Sequence, residues 1–107
     1  MKKAIENTLI DMGFNPAVKG FTYIVNTVAV ILKNNCEAMK VSDIYELASG
    51  DEEFKYNTYG RNIRNAIELA YVNDSELYRQ VFDGQLPKLK GALYRIAYLI
   101  KNNEGVK

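Results

Sequence analysis

The sequence contains no histidine, no tryptophan and a single cysteine, and these absences exclude several kinds of site. Without histidine, this chain by itself cannot form a Ser-His-Asp or Cys-His catalytic group or a histidine-ligated metal site. Cys36 has no partner for an internal disulfide and fits a reducing cytosol. We therefore predict that the protein is not an enzyme, uses no cofactor or metal, and has no small-molecule substrate.

A strong excess of charge of either sign is also missing. The formal net charge is +1 and the isoelectric point is near 7.8, whereas many small nucleic-acid-binding domains are strongly basic. Any nucleic-acid site is then a local patch, for which the basic stretch from Lys88 to the C-terminus is one candidate. The acidic residues 51–53 lack the spacing of a calcium loop and are interpreted as a solvated turn.

No apolar run is long enough to cross a membrane. The longest, residues 28–32, is far below the roughly 20 residues that a spanning helix needs. The first 13 residues carry Glu6 and Asp11 where a signal peptide would be apolar. These patterns predict a cytoplasmic protein without a membrane partner.

The apolar residues that are present recur at helical spacing along the whole chain. With 107 residues and only two prolines, this pattern predicts one all-α domain, residues 1–107, of about six helices. We predict inward positions in the first, third and last helices at Ile5, Leu9, Ile10, Met12, Ile44, Leu47, Ala48, Leu89, Leu93, Ile96 and Ile100. The tyrosines predicted to pack in or beside the core, rather than to stack on bases, are Tyr45, Tyr71, Tyr78, Tyr94 and Tyr98.

Capping residues and glycines predict where the helices begin and end. Asn15 is an N-cap candidate with Pro16 at the first helical position, and Ser42 is another N-cap. Asn73 and Glu76 have the spacing of a capping pair for the fifth helix. The predicted helix ends are Gly13, the Asn34–Asn35 pair, Gly50 and Gly84.

Two consecutive helices, at 42–49 and about 58–72, predict a helix-turn-helix at about 42–72. The second could be capped by Asn57 or could begin at Gly60 or Arg61, and the spacing does not separate these alternatives. Its apolar stripe is opposed by a polar face formed by Arg61, Arg64, Asn65 and Glu68. Arginine pairs with guanine, and asparagine with adenine, through two hydrogen bonds. The pattern is common on solvated helices, so it does not by itself decide for DNA.

Five segments, in order along the chain, resemble the C-terminal effector domain of the stage-zero sporulation protein A, a family of sporulation transcription regulators. They are GFNPAVKGFTYIVNTV at 13–28, SDI at 42–44, KYNT at 55–58, IRNAIELAY at 63–71, and a final helix after FDG and Pro87. The specific parts are Pro-Ala-x-x-Lys-Gly-x-x-Tyr and Ile-Arg-x-Ala-Ile-Glu. The isolated Lys19-Gly20 pair is not part of a phosphate-binding loop.

The resemblance implies an all-α DNA-binding domain with a recognition helix at about 58–72. It implies that Arg61, Arg64 and Glu68 match residues of that helix, whereas Asn65 stands where the family has histidine. Gly60 replaces a charged residue, and the family's turn into this helix is about four residues shorter. The family's phosphorylated receiver domain has no counterpart in this sequence. We therefore expect a constitutive binder, a competitor for sites or a partner of another regulator, unless the chain is an excised domain.

The leading hypothesis is therefore sequence-specific binding of double-stranded DNA, with a homodimer on the DNA left open. Arg61, Arg64 and Asn65 would approach base edges on the face that also carries Glu68. The predicted contacts to the DNA backbone come from Lys55, Tyr56 and Thr58 or from the basic last helix. The alternative is a helical protein-interaction module that kept the fold and lost DNA binding, as the near-neutral charge allows.

Overall fold

Six α-helices make up most of the computed structural model, which describes residues 2–34, 39–50 and 55–105. The helices are α1 (Lys2–Asp11), α2 (Lys19–Asn34), α3 (Val41–Ser49), α4 (Tyr56–Asn73), α5 (Glu76–Phe82) and α6 (Leu89–Gly105). No strand occurs in the described residues, and the radius of gyration is 12.8 Å. The prediction of an all-α fold with about six helices is confirmed.

The α2 helix occupies the centre of the fold and packs against α1, α3, α4 and α6. A helix with neighbours on several sides must be apolar over much of its circumference, and α2 is. Its buried apolar side chains are Phe21, Ile24, Val25, Val28 and Ile31. The β-branched run at 28–32, which is compatible with a strand when taken alone, is helical because it lies inside this longer pattern.

Two predicted helix starts are wrong because local turns use the same polar residues differently. The side-chain oxygen of Asn15 accepts a hydrogen bond from the Ala17 amide at 2.9 Å, in a turn that precedes α2. The helix therefore begins at Lys19 and not at Pro16. In α3 the N-cap is Lys40, which makes no side-chain capping hydrogen bond, and Ser42 lies within the first turn.

The predicted capping pair of the fifth helix is also wrong. Ser75 is the N-cap, and its hydroxyl oxygen accepts a hydrogen bond from the Tyr78 amide at 3.1 Å. Asn73 ends α4 instead, and its side-chain amide donates to the Gly13 carbonyl at 3.1 Å.

Gly13 and Gly50 follow α1 and α3 with φ of 90° and 60°, so the predicted ends there are confirmed.

Most side chains predicted to face the core are buried or half-buried, but four are exposed. Ile10 is 50% exposed because it lies about 100° around the helix from Leu9. Leu47 is 58% exposed, since Tyr45 and not Leu47 accompanies Ile44 into the core. Tyr71 and Tyr98 are also exposed, which corrects their predicted packing role.

Candidate nucleic-acid interface

The fourth helix carries the predicted recognition segment and extends beyond it at both ends. Its inward stripe is the predicted one, formed by Tyr59, Ile63, Ala66, Ile67 and Ala70. The helix begins at Tyr56 after Lys55, so the alternatives at Asn57 and at Gly60 or Arg61 are both wrong. The Tyr59 amide donates to the Lys55 carbonyl at 3.0 Å, which places Gly60 inside the helix.

The outer face of α4 presents its two arginines to solvent. Arg61 and Arg64 are exposed, as are Asn65 and Glu68 on the same side of the helix. Among the side chains that the structure describes, one ion pair is present, between Arg79 and Asp74. Neither arginine of α4 therefore has a carboxylate partner among these side chains, so contact with a ligand would break no ion pair within that part of the chain.

The three residues predicted to contact the DNA backbone lie at the N-terminal end of the same helix. Lys55, Tyr56 and Thr58 are exposed there. The Tyr56 side chain is 48% exposed, and its ring centroid lies 5.6 Å from that of Tyr45. The Thr58 carbonyl accepts a hydrogen bond from the Asn62 side chain at 3.0 Å. All seven predicted site residues thus belong to α4 or directly precede it.

Gly20 sets the distance between α2 and α4. A Cβ atom at this position would overlap the Asn62 carbonyl oxygen and would lie 2.8 Å from the Ala66 Cβ. The backbone of α2 therefore touches that of α4, directly behind the exposed side chains. The Lys19-Gly20 pair is thus part of a helix crossing that only glycine permits.

Lys19 is a candidate contact residue that the sequence interpretation missed. It is exposed in the first turn of α2 and lines a cleft together with Asn65 and Glu68 of α4. The sequence feature that could have identified Lys19 is its position immediately before Gly20 in the PAVKG segment. The crossing at Gly20 brings this ammonium group to the edge of the α4 face.

Four tyrosines form a cluster that joins α2, α3 and α4, and we call Tyr23, Tyr45, Tyr56 and Tyr59 the tyrosine cluster. The rings of Tyr23 and Tyr59 stack with centroids 4.3 Å apart, and Tyr45 lies 4.9 Å from Tyr59. The Tyr59 hydroxyl donates to the Tyr23 carbonyl at 3.2 Å and lies 3.2 Å from the Thr27 hydroxyl. These contacts fix how α3 and α4 sit on α2.

The Tyr45 hydroxyl is buried and has no hydrogen-bond partner among the described residues. Loss of water around the ionised form raises the pKa of Tyr45 to about 12, and the neighbouring Tyr56 and Tyr59 add to this shift. The positive charge of Arg64 opposes the shift. Burial likewise raises the pKa of Tyr59 above its ordinary value, and the hydrogen bond with Thr27 offsets part of this rise.

We expect Tyr45→Phe to raise the free energy of unfolding by about 1 kcal/mol, because it removes a buried hydroxyl that has no partner. Urea denaturation at neutral pH measures the change. Tyr59→Phe is the matched control, since it removes a hydroxyl that is hydrogen-bonded, and we expect it to lower stability by about 1 kcal/mol. Equal destabilisation by the two substitutions would contradict this account of Tyr45.

The same substitution should change the response to alkaline pH. The folded pKa of Tyr45, about 12, lies above its unfolded value of 10.0, so its contribution is constant below pH 10 and stability is lost as pH rises towards 12. Tyr45→Phe should therefore make the fall in stability between these pH values shallower. Denaturation curves at stepped alkaline pH test this, and an unchanged slope would count against it.

Other chemistry finds little support in the described part of the chain. No group of three or more Cys, Asp or Glu side chains there could hold a metal ion. None of the helices in the described ranges combines the length and hydropathy of a membrane span. Cys36 and the acidic residues 51–53, interpreted from the sequence as a solvated turn, lie outside the described residues.

Comparison with known proteins gives one finding. The model of the family described as sporulation initiation factor Spo0A C terminal matches residues 5–92, from α1 into the start of α6. The matched range contains α4, the Gly20 crossing and the tyrosine cluster. No curated protein and no solved structure matches the chain.

Proposed function

This chain belongs to the Spo0A C-terminal family, and from that premise we propose that it is a cytoplasmic transcription regulator that binds specific sequences in double-stranded DNA. In this proposal α3 and α4 form the helix-turn-helix at about 42–72, and α4 enters the major groove. The observation that carries the proposal is the exposed face of α4, where Arg61 and Arg64 have no carboxylate partner among the described residues.

The dimensions and chemistry of α4 fit the major groove. Its 18 residues span about 27 Å, and a groove about 12 Å wide admits a helix. Arg61, Arg64 and Asn65 are spaced by three and four residues, so they project from one side of the helix towards neighbouring base pairs. Each arginine can donate two hydrogen bonds to guanine, and Asn65 can form two with adenine.

The remaining polar residues of the interface have separate roles in this proposal. Glu68 is an acceptor for the exocyclic amine of cytosine, and it would repel a phosphate placed against it. Lys55, Tyr56 and Thr58 hold the DNA backbone at one end of α4. Lys19 adds a second cation at the edge of the same face, beside Asn65 and Glu68. Backbone contacts of this kind orient the helix but do not select a sequence.

In vitro selection of duplex DNA with the purified chain tests the proposal. We expect a recurring motif with guanine at the positions that the arginines reach. Failure to enrich any motif at low salt would contradict sequence-specific binding. Together with an unchanged molar mass in light scattering after adding random duplex, that result would favour the protein-interaction alternative.

The selected duplex also allows a test of the backbone contacts. We expect affinity to fall as salt rises from about 50 to 200 mM. In a plot of the logarithm of the association constant against the logarithm of the salt concentration, each phosphate contacted contributes roughly −0.9 to the slope. Lys55→Ala should reduce the slope by about 1 and leave the selected motif unchanged. Lys3→Ala, which removes an exposed lysine of α1 outside the proposed interface, is the matched control. A changed motif in Lys55→Ala would place this residue at a base instead.

A further inference from the structure

A second surface is formed where the C-terminal half of α2, α5 and α6 meet. They enclose an open, largely apolar groove of about 820 Å³. Ile31 and Ala97 are buried at its floor, while Leu77 and Leu99 are only partly buried on its walls. Tyr98 stands at its edge with 68% of its surface exposed. Partly buried apolar walls and an exposed aromatic side chain are typical of a surface that another molecule covers.

The charged side chains that line this groove are positive in the part of the chain that the structure describes. Arg95 and Lys101 line it, and no Asp or Glu among the described residues does. Arg95 of α6 donates a 2.7 Å hydrogen bond to the Val81 carbonyl of α5. This bond fixes the position of one cation against α5. Lys101 is exposed on α6, one turn beyond the buried Ala97. An apolar channel with a cationic rim is complementary to an apolar strip flanked by carboxylates.

The sign of the rim argues against a two-fold dimer in which this groove pairs with itself. A two-fold interface pairs a surface with itself, which would place Arg95 and Lys101 near the same cations of the other copy. Like charges brought together at an interface oppose association. A partner that carries the opposite charge does not meet this penalty.

The groove does not overlap the proposed DNA interface. None of its lining residues belongs to α3 or α4, and none is among the seven predicted DNA-contacting residues. A molecule seated between α2, α5 and α6 can therefore be bound at the same time as DNA on the outer face of α4.

We propose that the α2–α5–α6 groove binds an amphipathic helix of another protein that has an apolar stripe flanked by Asp or Glu. Helices dock in apolar grooves through side chains at positions i, i+3, i+4 and i+7, and Leu77, Leu99 and Tyr98 supply the facing contacts. Arg95 and Lys101 select the acidic flanks. The proposal does not depend on DNA binding, and either can fail without the other.

The test uses the intact chain and a display library of helical peptides about 14 residues long. The library keeps a leucine stripe at helical spacing and varies the flanking positions among Glu, Lys and Gln. We expect enrichment of Glu at the flanks. Equal enrichment of Lys and Glu, or no enrichment, would overturn the proposal.

A selected Glu-flanked peptide and its Lys-flanked counterpart are then titrated against variants of exposed groove residues. We expect Tyr98→Ala to weaken binding of the Glu-flanked peptide about tenfold, and Lys101→Glu to reverse the preference between the two peptides. Lys88→Glu, the same charge change outside the groove, should change either affinity by less than about twofold. An unchanged preference in Lys101→Glu would overturn the selection of acidic flanks.

Two further outcomes would assign the groove to a different occupant. A dimer detected by light scattering that dissociates in Tyr98→Ala would show that a second copy takes the groove. Displacement of the Glu-flanked peptide by duplex DNA, in a chain that also carries Arg61→Ala and Arg64→Ala, would show that the cationic rim binds nucleic acid. Either result overturns the proposal of an acidic helix.

Discussion

Gly20→Ala is expected to lower the free energy of unfolding by about 3 kcal/mol, at the upper end of the usual cost of overpacking. The added methyl group would overlap the Asn62 carbonyl oxygen and approach the Ala66 Cβ to 2.8 Å. A backbone carbonyl inside a helix cannot rotate away as a side chain can, so α2 and α4 must separate. That separation loosens packing between the central helix and the helix that carries the proposed interface.

Gly91→Ala is the matched control, because Gly91 also lies near the start of a long helix. A Cβ at Gly91 meets nothing within 4 Å. Alanine should therefore only improve helix propensity there and raise stability by up to about 1 kcal/mol. Urea denaturation of the two variants should shift the midpoint in opposite directions. An unchanged midpoint for Gly20→Ala would show that the helix crossing tolerates a side chain.

Loss of the two arginines of α4 should have the largest effect on DNA binding. We expect Arg64→Ala to weaken binding to the selected duplex by roughly 1 to 3 kcal/mol, and Arg61→Ala/Arg64→Ala to reduce it to the level of a scrambled duplex. The physical reason is that each guanidinium donates two hydrogen bonds to one guanine, and water replaces them poorly at a wrong base. Fluorescence anisotropy with both duplexes measures the change.

Arg79→Ala is the matched control for the loss of one positive charge. Arg79 is exposed on α5, pairs with Asp74 at 3.2 Å and is not among the predicted contact residues. We expect the affinity of the Arg79→Ala variant for the selected duplex to stay within about twofold of that of the unsubstituted protein. Because Arg61 and Arg64 are exposed, their removal should leave the denaturation midpoint nearly unchanged. Normal binding by the stable double variant would contradict the proposed interface.

The inward stripe of α4 was predictable from the sequence because five apolar residues repeat at helical spacing over a long segment. The starts of α2, α3 and α5 were not predictable, because Asn15, Ser42 and Asn73 all resemble N-caps when only the sequence is considered. The structure uses Asn15 in a turn and Asn73 in a contact with Gly13, sixty residues away in sequence. Lys40 and Lys55 occupy N-cap positions without a side-chain cap, so no cap signal marks those starts.

The candidate interface was predictable as one helical face, but the contacts behind it were not. The polar side of α4 follows from spacing alone, since Arg61, Arg64, Asn65 and Glu68 oppose the apolar stripe. The role of Gly20 requires knowledge of which helices cross and at which residue. The tyrosine cluster likewise joins residues from three helices, and one of its hydrogen bonds links positions 36 apart in sequence. Contacts of this kind arise from tertiary packing, which periodicity does not describe.

The tyrosine cluster also gives the protein an intrinsic optical reporter. With eight tyrosines and no tryptophan, the near-ultraviolet signal at wavelengths above the phenylalanine bands comes from tyrosine and is not masked by indole. Tyr23, Tyr45 and Tyr59 are held in fixed mutual orientations between α2, α3 and α4, and fixed packing produces near-ultraviolet circular dichroism. A variant that keeps its far-ultraviolet helical spectrum but loses this band has intact helices in which the tyrosines, including those packed behind α4, are no longer held in one arrangement.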